Sequence, residues 1–204
     1  MLTFIIFYLK LHKKLSKYII RFFPTKVEIK RVKKILYLGL PSALHSFFEV
    51  AFFISAVWMS GFIGKNSQAA NQIALNLSSM TYMVALGVGV AAMIRVGNQR
   101  GMMNFKKLRE VAISTLLLII IIDIFFCLVF LIFIDLLPLL YLDPSDPSNL
   151  NDVNEVLSIA SKLLIVAGVF QLFDGIQAVV LGALRGMQDV NKPAIIIFFS
   201  YGIL

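Results

Sequence analysis

Only 15% of the 204 residues are charged and 59% are hydrophobic, whereas an ordinary soluble domain carries about a quarter charged residues. That shortage excludes a conventional water-soluble fold. Cysteine occurs once, at Cys127, so no internal disulfide forms and no cysteine cluster holds a metal. Histidine occurs twice, at His12 and His45, and the chain has neither clustered metal spacing nor a nucleophile beside a base. The nearest metal-like pattern is His45 with Glu49 four residues on. There is no Walker-type glycine loop to cradle phosphates. No enzyme activity and no cofactor are expected.

Long apolar runs fill the space those absences leave. A bilayer core about 30 Å thick needs roughly 20 apolar residues per helical span, and residues 113–134 are apolar apart from Ser114, Thr115 and Asp123. Barrel strands would alternate polar and apolar residues, and these runs do not. The expected architecture is therefore an all-α, polytopic transmembrane bundle. Four full spans are read at about 41–63, 69–96, 111–137 and 156–184, with a fifth starting near Pro193. Pro41 suits the first turn of the first span. The second span, rich in Ala, Gly, Ser and Asn, reads as buried, and the third, mostly Ile, Leu and Phe, as lipid-facing. The pairs Gly87 with Ala91 and Gly182 with Gly186 have the small-residue spacing that lets helices approach closely.

The charges alternate from loop to loop. Ten of the 19 basic residues lie between Lys10 and Lys34, and five more between Arg95 and Arg109. Arg185 and Lys192 flank the turn before the fifth span, while Lys65 stands alone before the second. Between Tyr141 and Glu155 lie Asp143, Asp146, Asp152 and Glu155. The positive-inside rule makes the three basic segments cytoplasmic, so the expected location is a cell membrane crossed several times. The net charge of +8 then answers to anionic lipid rather than nucleic acid. Residues 10–34 interleave bases with Leu, Ile and Phe as an interfacial helix does, closed by Pro24. Residues 1–9 read as the end of a preceding span, not a secretory signal.

An ionised acid at the centre of a span costs roughly 2.5–3.5 kcal/mol on insertion scales, so such acids mark cavities and ion pathways. Three qualify: Glu49, Asp123 and Asp174. Ser42, His45, Ser46 and Glu49 share one helix face by their three- and four-residue spacing. So do Phe170, Gln171, Asp174 and Gln177, and Gln72, Asn76, Ser79 and Met83. Three polar faces are what a hydrated cavity requires, although Ser, Asn and Gln also serve as plain helix-to-helix hydrogen bonds. Asp123 has no companion stripe. A carboxylate whose charge is neutralised by either an ion or an exported molecule, but not by both, would exchange one for the other.

Three strings carry a family resemblance: GLPSALHSFFEV around Glu49, AANQIALNLSSMTYMVALGVGVAAMIRVGNQRG through the second span, and LFDGIQAVVLGALRGMQDVNKP from Leu172 to Pro193. In order and spacing the chain resembles the C-terminal lobe of the multidrug and toxic compound extrusion (MATE) transporters. The resemblance implies a twelve-helix fold of two lobes, of which residues 41–204 would supply about helices seven to eleven. Residues 1–40 would then be the end of a preceding span and the basic linker between lobes, with the N-terminal lobe absent as a partner. It implies a cation-coupled antiporter of drugs, toxins or organic cations, with Glu49 and Asp174 binding Na⁺ or H⁺, and His45, Gln72, Asn76, Phe170 and Gln177 lining the cavity. Asn71 and Phe170 depart from the family, which often has His and sometimes Tyr there. A flippase for lipid-linked saccharides would want a basic cavity rather than an acidic one; a non-transporting membrane fragment is the other alternative.

Overall fold

The computed structural model describes residues 29–142 and 150–202. Residues 143–149, with Asp143, Pro144, Asp146 and Pro147, lie outside the described residues, as does most of the expected interfacial segment. Six helices follow in order: α1 Ile29–Ile63, α2 Lys65–Gly101, α3 Phe105–Ile132, α4 Leu136–Leu139, α5 Leu150–Gly186 and α6 Asn191–Gly202. By length and composition α1, α2, α3 and α5 are each able to cross a membrane, and the chain is an all-α membrane protein. It divides into two units, residues 1–39 and 40–204. Of the first unit, the described part is the opening of α1.

Pro41 is not in a first turn. It lies inside α1, because the apolar series Ile35, Leu36, Leu38 and Leu40 carries the helix back beyond it, and membrane helices tolerate an internal proline. A single residue, Gly64, joins α1 to α2 with φ of 155°. Side chains are strained at that angle, so glycine permits the sharp turn. At the other end of α2, Asn104 caps α3, its Oδ1 accepting from the Lys107 amide at 3.1 Å as an N-cap residue does.

The core of the second unit is built by α2, α3 and α5, which pack on one another pairwise. Near the acidic end of the bundle, Ala70, Ile73 and Leu77 of α2 meet Phe130 of α3 and Val156, Ala160 and Leu164 of α5. A second cluster joins Ala85 and Ala92 to Ile119 and Val179. Between them, the buried Thr81 hydroxyl donates to Oε1 of Gln171 at 2.8 Å, a side-chain link from α2 to α5 of the kind that joins helices in lipid.

The α2–α5 seam is a backbone contact. A Cβ on Gly182 would collide with the Gly89 carbonyl, and one on Gly89 would stand 2.8 Å from the Ala178 carbonyl oxygen. Gly186 faces Met93 and Gly97 in the same way. The expected pair on α5 is thus at the contact, but Gly87 on α2 is not, since a Cβ there would meet nothing within 4 Å. Gly89 takes its place two residues on, on the opposite side of the helix.

Candidate functional site

α1 is 35 residues long, and its only buried residues are His45 and Glu49. Both are polar, and they lie one turn apart with Nδ1 of His45 3.8 Å from Oε2 of Glu49. The other carboxylate oxygen, Oε1, accepts from the Tyr82 hydroxyl of α2 at 2.8 Å. From α5, the Arg185 guanidinium approaches Nδ1 of His45 at 3.5 Å. A carboxylate on one helix therefore meets a tyrosine on a second, and its histidine neighbour meets an arginine on a third. Hydrogen bonds to charged groups are stronger than neutral ones, so these few contacts matter to the placing of α1.

Asp174, half-buried on α5, lies within electrostatic reach of both Glu49 and Asp123. The three intramembrane acids named from sequence are thus gathered in one region by α1, α3 and α5. Asp123 is 3% exposed, which corrects the view of α3 as lipid-facing along its whole length: one side packs on α5, and Asp123 is on it. Among the described residues no group of three or more His, Cys, Asp or Glu side chains is close enough to hold a metal ion jointly. A small cation here would be bound by one or two carboxylates at a time, helped by neutral oxygens.

The remaining expected residues fall into two sets. Gln72 lines a cavity of about 290 Å³ between α1 and α2, together with Phe53, Val57, Trp58 and Leu75. Phe170 meets Phe53 edge to face at 6.2 Å between ring centroids, so it borders that cavity's wall. Asn76 is exposed one turn from Gln72 and donates to the Gln72 carbonyl at 3.1 Å. Gln177 is half-buried on α5, three residues beyond Asp174. His45 belongs with Glu49, at the polar end, rather than with Gln72.

Two members of the site were not anticipated. Tyr82 lies beside the stripe of Gln72, Asn76 and Ser79, and the available signal was its hydroxyl, which needs a partner inside an apolar span. Arg185 was placed among the loop charges that set orientation, whereas its side chain turns back toward α1.

The fold and site define a membrane helix bundle with carboxylates held between its spans. The MatE family model matches residues 41–204, and the chain belongs to that family, whose members are transporters rather than enzymes. A probable multidrug resistance protein NorM of Agrobacterium fabrum is 37% identical over 200 residues, covering 97% of this chain and 42% of that protein. The multidrug resistance protein MdtK of Proteus mirabilis is 32% identical over 180 residues, 87% of this chain and 37% of its own length. A multidrug resistance protein NorM of Aliivibrio fischeri is 31% identical over 182 residues, 88% and 37% respectively. The chain thus spans about two fifths of the length of these relatives.

Proposed function

We propose that the complete gene product exports small organic molecules across the cell membrane in exchange for Na⁺ or H⁺, with Glu49 and Asp174 as the coupling carboxylates. The observation that carries this reading is Glu49 itself: a carboxylate buried in an apolar span, fixed by Tyr82 at 2.8 Å and within electrostatic reach of a second acid on another helix. Two ionised carboxylates in one low-dielectric region repel each other. A bound cation relieves that repulsion, and an organic cation entering beside them relieves it too. Each then weakens the need for the other, which is the thermodynamic condition for exchange.

The organic molecule's place would be the cavity of about 290 Å³ at Gln72 and Trp58. Its walls are mainly apolar and aromatic, as drug-sized pockets are, and the exposed Trp58 ring offers a face to a cation. The names of the relatives, multidrug resistance proteins, agree with loose selection by size, charge and apolar surface. The basic segments would face the cytoplasm. Movement would be a rocking of this lobe against an N-terminal partner lobe about a midplane site.

The test is efflux from proteoliposomes holding the complete gene product, under an imposed sodium or proton gradient. Glu49→Gln and Asp174→Asn should each abolish gradient-driven export while leaving membrane insertion intact. Undiminished export in both variants would refute the assignment.

A further inference from the structure

Asp123 is left over by this account. It stands in the middle of α3, well beyond Glu110 at that helix's basic start, and its insertion carries the roughly 2.5–3.5 kcal/mol penalty of a charged residue at mid-span. Yet its carboxyl does not reach toward water. It is 3% exposed, and its Oδ2 is buried with no hydrogen-bond partner among the described residues. A buried anion without partner or counter-ion is among the costliest arrangements a protein can hold, so the carboxyl requires a positive charge or a proton of its own.

The surroundings identify where that charge sits. The Asp123 carboxyl occupies the space a side chain at 175 would fill, and a Cβ on Gly175 would collide with it. The next residue back along α5 is Asp174, which lies within the field of Asp123. The site's basic group, Arg185, points elsewhere: it approaches His45 at 3.5 Å, on the α1 side. On α1 the charged group within the field of Asp174 is Glu49, a further acid. One monovalent cation shared by Glu49 and Asp174 would therefore leave two of the three negative charges uncompensated, that of Asp123 among them.

We propose that Asp123 and Asp174 bind a second monovalent cation, Na⁺ or H⁺, between α3 and α5, and that Gly175 is the residue that admits it. The proposal rests on the reading of Glu49 and Asp174 as the coupling site and extends it by one ion and one helix. A proton would be shared between the two carboxyls as an O–H donated by one oxygen and accepted by another. A sodium ion would lie between oxygens of the same two groups. Either ion leaves the pair with a single negative charge in place of two, and no bond to carbon changes.

The experiment separates the two ions without needing a known drug. The complete gene product in detergent is equilibrated with radioactive sodium, and sodium bound per protein is counted. In parallel, infrared spectra are recorded for the C=O stretch of a buried protonated carboxyl. If the ion is Na⁺, Asp123→Asn lowers the bound sodium by one per protein. If it is H⁺, the variant leaves the sodium count alone and removes the carboxyl band. Gly175→Ala should reproduce the loss without changing any acid, and thermal melting checks that both variants are folded. Glu49→Gln should remove its own cation and spare the Asp123 signal. Asp123→Asn that is folded and matches the parent in both sodium count and infrared band would overturn the proposal, whereas unimpaired export in both Glu49→Gln and Asp174→Asn would overturn the underlying function instead.

Discussion

α5 and α1 both lean on α2, and they do so by opposite means. α5 meets α2 through glycine backbone at Gly89, Gly97, Gly182 and Gly186, through the buried Thr81–Gln171 hydrogen bond, and through two apolar clusters shared with α3. α1 buries only His45 and Glu49. Its links to the other helices include the carboxylate at Tyr82, the imidazole at Arg185, the Phe53–Phe170 ring edge and the half-buried contact of Ser60 with Asn71. In lipid, where apolar surface gains little by leaving one hydrocarbon for another, close small-residue packing holds helices together. α2 and α5 have that packing. α1 instead depends on polar groups whose charge an ion would alter, so its attachment should respond to the cation while the α2–α5 body does not.

The largest effect expected is on the seam. Gly182→Leu drives a side chain into the Gly89 backbone, which cannot rotate aside, and should cost at least the ~1–3 kcal/mol of ordinary overpacking. Loss of a monodisperse peak after detergent extraction would show it; a normal elution profile and melting temperature would mean the seam is not structural. Next comes Thr81→Val. It leaves the buried Gln171 without its donor and should lower stability by about 1–3 kcal/mol, with the cation requirement of export unchanged.

Tyr82→Phe sharpens the comparison from the other side. It removes the donor to the Glu49 carboxylate while keeping the ring, and should cost about 1.5–3 kcal/mol in stability with the bundle still folded. Cation affinity, followed by titration of the purified protein, should nevertheless shift several-fold. An unchanged affinity would detach Tyr82 from the site. The smallest effect belongs to the far end, where Lys65 pairs with Asp152 at 2.6 Å and Asn66 reaches Asp152 and Glu155. The Lys65 side chain is mostly in solvent, where ion pairs contribute little, so Lys65→Ala should leave melting and export within error.

Much of this was legible in the sequence because lipid imposes a simple demand: twenty apolar residues for each crossing, with acids only where something needs them. The four spans, Glu49, Asp174 and the α5 glycines followed from that demand. What escaped was the direction in which each helix faces. Periodicity puts residues on a common side but does not say what that side meets, and in a membrane both sides are apolar. Hence Gly87 was named where Gly89 makes the contact, and Tyr82 was passed over beside the stripe of Gln72 and Asn76. The companion of Asp123 was hidden for another reason. It is a glycine, Gly175, and a missing side chain leaves no polar pattern to find.

The contrast between the two attachments is tested most directly by hydrogen–deuterium exchange on the complete gene product, with and without saturating coupling cation. Addition of the cation should change exchange along α1 around residues 45–54 and leave the α2 and α5 segments about Gly89 and Gly182 as they were. Equal changes in α1 and in the seam, or none in α1, would contradict the claim that Glu49 fastens α1 through its charge.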